Sequence, residues 1–174
     1  MMAFLKKRYD TIYVNARAII ERQGEAGTEI VLQTRNKVHE DRKTTELPGG
    51  RLEPYESFYN ALKREVKEET GLEIIFIEGQ DSSLVTDSEG RRVECLRPYA
   101  VYQTLDGPVD SMGVYFLCRA EGELLSVGDE TEDIEWVSVV EVAARLAENP
   151  AQFSWVDRAA LVFYLRERGT KTAA

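Results

Sequence analysis

The chain has 174 residues, of which 43% are hydrophobic and 30% are charged, as in ordinary globular proteins. A chain of this length is predicted to form one domain, over residues 1–174. The net charge of −9 disfavours binding to a nucleic-acid polymer. The N-terminal apolar run is too short for a signal peptide, and no segment is long enough to span a membrane, so the cytoplasm is the expected location.

Cysteine and histidine content argues against two classes of site. Cys95 and Cys118 both lie in apolar, strand-like runs, which predicts reduced, buried thiols and no disulfide framework. Because His39 is the only histidine, the sequence also offers no set of ligands for a zinc site.

The first part of the chain is rich in β-branched and apolar residues, which predicts strands. The predicted strands are residues 11–21, 28–35 and 45–53. Turn-forming residues at 24–27 make the first two a hairpin. The polar segment 36–44, which carries several lysine and arginine side chains, has two interpretations: a solvated loop, or a loop that faces phosphate.

A helix is predicted from Ser57 to Thr70. The Ser57 hydroxyl can accept a hydrogen bond from the unpaired backbone N–H groups at the helix start. Glu56 lies near the positive end of the helix dipole, and Gly71 provides a C-terminal stop. The sequence therefore fixes both ends of this helix.

Further strands and two helices are predicted after this helix. The strands are residues 72–79, 93–104, 112–122 and a strand entered at Ile134; the helices are residues 139–147 and 155–168. Residues 81–92 are predicted to form a turn-rich loop. This order of elements predicts an α/β protein with a mixed β-sheet covered by helices.

The glutamates of the first helix do not form a solvated face. At about 100° per residue, Glu65 and Glu69 project on the apolar side of the helix, and Glu68 lies about 60° from Glu65. Lys63 and Lys67 project on the opposite side. Carboxylates turned toward the protein repel each other and lose hydration unless cations pair with them.

Two arrangements could supply those cations. One is a set of ion pairs within the helix, in which Arg64 serves one carboxylate, with Glu56 or a loop carbonyl as its simplest partner. The other is a bound metal ion, and oxygen ligands without histidine or cysteine select Mg²⁺ or Mn²⁺. The inward direction of the glutamates favours the metal site.

The helix and the glycines before it match a known sequence pattern, G-x5-E-x7-R-E-U-x-E-E-x-G-U, where U is an apolar residue. The matching residues are Gly50, Glu56, Arg64, Glu65, Val66, Glu68, Glu69, Gly71 and Leu72. In this motif, the Nudix box, the chain resembles the Nudix hydrolase family. The resemblance implies a Nudix-like α/β/α sandwich with a mixed β-sheet. It also implies metal-dependent hydrolysis of a phosphoanhydride in a nucleoside diphosphate linked to another moiety.

The resemblance assigns roles to residues of the box. Nudix hydrolases bind metal ions through three glutamates, here Glu65, Glu68 and Glu69, which are therefore expected to be metal ligands and catalytic residues. The main-chain carbonyl of Gly49 is implied as a further metal ligand. Mg²⁺ or Mn²⁺ is the expected cofactor.

Residues around the ligands also receive roles from the resemblance. Glu56 and Arg64 are implied to orient the metal ligands. An acidic residue from a loop before a late strand commonly serves as a further ligand or base. Glu130 fits that position best and Glu132 is its rival, while a plain solvated acidic loop explains both equally well.

The box does not identify the substrate, because the proline or tyrosine that marks some subfamilies about sixteen residues after it is absent from residues 86–90. A nucleotide sugar, an ADP-ribose-like compound or a (d)NTP all remain open. Arg35, Arg51 and Tyr99 are candidate substrate-binding residues. The aromatic residues available for base stacking are Tyr99, Tyr102, Phe153 and Trp155, each of which is also explained by a place in the core.

The expected partner is a small nucleotide, with no membrane and no nucleic-acid polymer. Because many Nudix hydrolases are homodimers, the resemblance also allows a homodimer here. The alternative function is a non-catalytic nucleotide-sensing module with the same fold. Such modules usually lose a glutamate of the box, so the intact box favours the enzyme.

Overall fold

The computed structural model describes residues 11–37 and 42–169; the predictions for the N-terminal run and for His39 lie outside them. The strands are β1 (Tyr13–Gly24), β2 (Gly27–Arg35), β3 (Thr45–Glu46), β4 (Gly49–Arg51), β5 (Glu73–Ile77), β6 (Leu84–Ser88), β7 (Arg91–Cys95), β8 (Ala100–Gln103), β9 (Ser111–Glu121), β10 (Val127–Gly128) and β11 (Thr131–Ser138). The helices are α1 (Phe58–Thr70), α2 (Val139–Glu148) and α3 (Trp155–Glu167). No helix within the described ranges is long and apolar enough to cross a membrane.

β1 lies at the centre of a mixed sheet. It pairs antiparallel with β2 and β4 and parallel with β9. The main path through the sheet runs β10-β11-β2-β1-β9-β5, with β3 beside β2, β4 beside β1 and β8 beside β9. The predicted mixed sheet is therefore confirmed.

Both faces of this sheet carry a hydrophobic core, because successive residues of a strand point to opposite faces. On one face, Ile19 of β1 shares a core with Val142 of α2 and Leu161 of α3. On the other face, Ala18 shares a core with Leu62 of α1. One helix on one face and two on the other give the predicted α/β/α sandwich.

The structure confirms the limits and the orientation of α1. Ser57 caps the helix, and its Oγ accepts a 3.2 Å hydrogen bond from the backbone N–H of Asn60. Leu62 is fully buried, whereas Lys63 and Lys67 are exposed. The helix therefore buries the face that its periodicity predicted.

Four predictions for the second half of the chain are wrong. Residues 81–92 are not all loop, because β6 and β7 pair as a separate two-stranded ribbon. The turn residues mark only its tip, where the backbone N–H of Gly90 donates to Asp87 Oδ1 at 3.1 Å. The predicted strand 93–104 is interrupted between β7 and β8 at Pro98, which has no N–H to donate to a ladder.

β11 begins at Thr131 and not at Ile134, because backbone pairing with β10 and β2 outweighs the acidic side chains at its start. Cys95 also differs from the prediction. It is exposed on the β6–β7 ribbon, which does not pair with the main sheet, whereas Cys118 is buried as expected.

Candidate active site

A groove of about 540 Å³ lies between α1, β4 and the turn before β11. Its lining includes Glu65, Glu68 and Glu69 of α1 together with Gly49 and Gly50 of the strand beside it. The four residues predicted as metal ligands are thus brought to one concave surface by elements that adjoin in space.

Glu69 is the most enclosed of these carboxylates, with 8% of its surface exposed. Its Oε2 accepts hydrogen bonds from the backbone N–H of Gly49 at 2.7 Å and from Gln33 Nε2 at 2.8 Å. Burial, reinforced by the nearby negative charge of Glu46, raises the pKa of Glu69 to about 8. The side chain is therefore held in place but deprived of hydration.

Arg64 connects the other carboxylates. Its Nε and Nη2 each donate to Glu56 at 2.9 Å, and these bonds lower the pKa of Glu56. Its Nη1 donates to Glu65 Oε1 at 2.8 Å and lies 3.4 Å from Glu68 Oε2. The predicted pairing with Glu56 is present, and Nη2 also donates to the loop carbonyl of Arg51 at 3.2 Å. Arg64 does not serve one carboxylate only, because a guanidinium group has five N–H donors.

The three glutamates of α1 differ in exposure. The side chain of Glu65 is 17% exposed, and burial raises its pKa. The side chain of Glu68 is 47% exposed, so this residue lies at the rim of the groove and not on the inward stripe that the helical geometry predicted. Because Glu68 lies to one side of the stripe, it can reach both solvent and Arg64.

The donor set has the chemistry of a divalent-cation site, but its geometry is open. Within residues 11–37 and 42–169, no three acidic, histidine or cysteine side chains converge closely enough to hold a metal ion. Glu65 and Glu68 face Arg64 instead. Carboxylates without nitrogen or sulfur ligands nevertheless suit a hard cation, which would offset the lost hydration of Glu69.

The two glycines before α1 are required by close contacts. Gly49 has φ = +132°, and a Cβ atom there would lie 2.3 Å from the carbonyl oxygen of Ala16. A Cβ atom on Gly50 would lie 2.5 Å from the carboxyl carbon of Glu65. Only glycine at position 49 allows β4 to approach the backbone of β1 so closely, whereas a side chain at position 50 would displace the Glu65 carboxyl group.

Glu130 and Glu132 lie in different places. Glu130 occupies the turn between β10 and β11, lines the groove and forms an ion pair with Lys37. Glu132 pairs with Lys43, accepts a 2.9 Å hydrogen bond from Asn36 Nδ2 and is not among the described residues that line the groove. The structure brings Glu130 to the other carboxylates, and its role as base or ligand stays a prediction.

Two of the three candidate substrate residues reach the groove. Arg35 and Arg51 line it, and the Arg51 guanidinium carbon lies 3.7 Å from the centre of the Tyr13 ring. Tyr99 lies elsewhere, with its ring packed edge-on against Phe163 at a centroid distance of 5.7 Å. The structure therefore does not bring Tyr99 to the other candidates.

The polar segment before β3 had two interpretations, a solvated loop and a loop that faces phosphate, and it contains side chains that fit each of them. Lys37 lines the carboxylate groove and Arg42 lines the cavity beside it. Lys43 has a 56% exposed side chain, as in a solvated loop.

Sequence reasoning missed a buried polar network beneath the groove. Arg17 Nη1 donates to Asp157 Oδ2 at 3.1 Å and to the carbonyl oxygen of Leu47 at 2.9 Å. Tyr115 donates to the other oxygen of Asp157 at 2.8 Å, and Glu46 lies 3.8 Å from Arg17. The one feature of the sequence that could have indicated this network is Arg17, an arginine inside the apolar strand β1. A buried cation is costly unless an anion pairs with it, so Arg17 implies a buried acidic partner.

The fold and the groove together define an α/β protein with a carboxylate site flanked by arginines, an arrangement suited to phosphate chemistry. A family model, the NUDIX domain, matches residues 12–159. The chain therefore belongs to the NUDIX family and is a Nudix hydrolase, as its box predicted.

Solved structures show the same fold at low sequence identity. The E. coli ORF135 protein is 23% identical with a TM-score of 0.59, over 95% of this chain and 96% of that one. The MutT NUDIX hydrolase from Burkholderia pseudomallei is 20% identical with a TM-score of 0.62, over 88% and 98%. A comparison with curated proteins gives no match.

A bifunctional NMN adenylyltransferase/ADP-ribose pyrophosphatase from Francisella tularensis, in complex with AMP and a manganese ion, also has this fold. It is 18% identical with a TM-score of 0.60, and the match covers 94% of this chain and 44% of that one. At such identities the likeness concerns the fold alone.

Proposed function

We propose that this Nudix hydrolase cleaves a phosphoanhydride in a nucleoside diphosphate linked to another moiety, with Mg²⁺ or Mn²⁺ as cofactor. The observation that carries the proposal is the buried carboxylate of Glu69, which shares one groove with Glu65 and Glu68. The AMP and manganese ion in the Francisella relative are consistent with this class of ligand and cofactor. Nucleotide sugars, ADP-ribose-like compounds and (d)NTPs are the substrates within this class.

The residues that would hold the cation are Glu65, Glu68, Glu69 and the carbonyl oxygen of Gly49. When bound, a divalent ion supplies positive charge that neutralises phosphate oxygens and polarises water for attack on phosphorus. Arg64 restrains this set, because it donates to Glu65 and contacts Glu68 while Glu56 anchors its other side.

The chain's own groups account for proton transfer and substrate charge. Glu68, Glu69 and Glu130 line the groove and are the candidates to accept the proton of the attacking water. Arg35 and Arg51 line the same groove, and guanidinium groups match the geometry of phosphate oxygens. Acidic and basic groups on one surface can therefore bind the phosphates and activate the water.

The test is product release from ADP-ribose, dNTPs, diadenosine polyphosphates and nucleotide sugars with Mg²⁺ or Mn²⁺. We expect hydrolysis of at least one of them, abolished by a chelator and reduced by a factor of about 10² or more in Glu69→Gln. Circular dichroism of that variant checks that it folds. Glu132→Gln, whose carboxylate lies outside the groove, is the matched control and should keep its activity.

A Glu69→Gln variant with near wild-type turnover would refute the assignment of Glu69. If no compound on the panel is hydrolysed but one of them binds, the non-catalytic sensing module becomes the better description.

A further inference from the structure

The carboxylate groove continues into a second cavity. This cavity, of about 580 Å³, extends toward the start of α3. The residues lining both cavities are Asn15, Arg17, Arg35, Glu46 and Arg51. One uninterrupted surface therefore runs from the glutamates of α1 to Trp155, with arginine side chains between the two ends.

Trp155 lines the far end of this surface. It is the first residue of α3, and 44% of it is exposed. A Cβ atom on Gly107 would lie 3.2 Å from its Cη2 and 3.4 Å from its Cζ3. The loop before β9 therefore lies against the outer edge of the six-membered ring. A single exposed aromatic residue is ordinary on a protein surface, so a binding role for Trp155 depends on the groups that surround it.

Polar groups with defined hydrogen-bonding capacity line the same cavity as Trp155: Tyr102 lines this cavity alone, and Asn15 lies where the two cavities meet. Asn15 Nδ2 donates to the hydroxyl of Tyr102 at 2.8 Å and lies 3.4 Å from the carbonyl oxygen of Met112. An amide nitrogen has two N–H donors, so both are directed within the protein and Oδ1 remains as the acceptor. The Tyr102 hydroxyl, which accepts from Asn15, keeps its own hydrogen to donate.

This combination is what recognition of a nucleobase requires. An aromatic ring provides a surface for stacking, and every base has a π-face that can stack on it. A neighbouring donor and acceptor, from Tyr102 and Asn15, can pair with the polar edge of a base. Arg51, held over the ring of Tyr13, lies between this end and the carboxylates, where the phosphates of the same ligand would be.

We propose that Trp155, Tyr102 and Asn15 form the nucleobase subsite of this enzyme. The inference rests on the proposed function and narrows it: the substrate is a nucleoside phosphate whose base stacks on Trp155 while its phosphates extend past Arg51 to the glutamates. A phosphoanhydride compound without a base has no partner at this end of the surface.

A fluorescence titration tests the subsite without catalysis. The chain has two tryptophans, so Trp136→Phe leaves Trp155 as the only indole. We expect saturable quenching of its emission by AMP, GMP, CMP or UMP, and none by ribose 5-phosphate, which lacks a base. Equal responses to ribose 5-phosphate and to the nucleotides, or no response to any nucleotide, would overturn the proposal.

Steady-state kinetics provides the second test. Trp155→Ala should raise the KM for a hydrolysed nucleotide about tenfold and change kcat less than about twofold, because it removes binding shared by substrate and transition state. Phe163→Ala is the matched control, since Phe163 lies on the same helix with 46% exposure and lines neither cavity. A KM for Trp155→Ala equal to that of the control contradicts the subsite.

The two experiments separate this inference from the function on which it rests. If the wild type hydrolyses nothing on the panel but nucleotides quench Trp155, the proposed activity fails and the subsite stands. If the panel is hydrolysed and the Trp155 variants behave like their controls, the subsite alone fails.

Discussion

Replacing Glu69 by glutamine should lower the activity but raise the free energy of unfolding at alkaline pH. In the metal-free protein, burial raises the pKa of this carboxyl from 4.5 to about 8. Between these values the folded chain binds a proton that the unfolded chain has lost, so the free energy of unfolding falls as the pH rises toward 8. At 1.36 kcal/mol per pKa unit, the loss amounts to about 3–5 kcal/mol. Glutamine carries no charge, and its amide oxygen can accept the same bonds from Gly49 and Gln33.

Urea unfolding in the presence of a chelator, at pH values from 5 to 9, measures this effect. Wild type and Glu69→Gln should agree within about 1 kcal/mol at pH 5, and the variant should be more stable by about 3–5 kcal/mol at pH 9. Because the charge of Glu46 acts on Glu69, the difference between the two proteins includes the repulsion between these two carboxylates as well as the burial of Glu69. Added Mg²⁺ should flatten the wild-type profile, because a cation beside Glu69 stabilises the ionised carboxylate.

Glu68→Gln is the matched control, because its side chain is nearly half exposed. It should follow the wild-type profile within about 0.5 kcal/mol. A wild-type profile parallel to that of Glu69→Gln across the whole pH range would show that burial does not hold the Glu69 carboxyl in its neutral form.

Three further substitutions test other parts of the site. Asp157→Asn leaves Arg17 as a buried cation without its closest anion, and should lower the free energy of unfolding by about 3 kcal/mol in urea. Gly50→Ala places a Cβ atom against the carboxyl group of Glu65; the flexible side chain can move aside, so we expect a folded protein by circular dichroism with a kcat lowered at least about tenfold. Glu130→Gln should lower kcat about 10²-fold with little change in melting temperature if Glu130 accepts the proton; unchanged turnover leaves that role to another carboxylate.

Local features of the sequence were sufficient to predict α1. A helix end depends on neighbouring residues, and the Ser57 cap and the burial of Leu62 follow from sequence spacing alone. The same spacing placed Glu68 too far inward, because a long side chain at the edge of a helix stripe can turn to solvent or to Arg64.

Features that depend on distant partners were not predictable in this way. Residues 84–95 have no buried face that would mark them as strands, and only pairing between β6 and β7 reveals the ribbon. Trp155 could be named as an aromatic candidate, but its place at the end of the groove depends on the docking of α3. Arg17 and Asp157 are 140 positions apart, so no local pattern links them.

That separation has a consequence for how the groove is supported. Arg17 and Asp157 close one of the longest loops that the chain can form, and Leu47 donates its backbone N–H to the same carboxylate from 110 positions away. Contacts of this kind form late, since the entropy of loop closure must be overcome first. The base of the groove therefore depends on the docking of α3, although the predicted metal ligands all lie on α1 and β4. A change that loosens α3 from the sheet would leave Arg17 without its closest anion and disturb the groove from below.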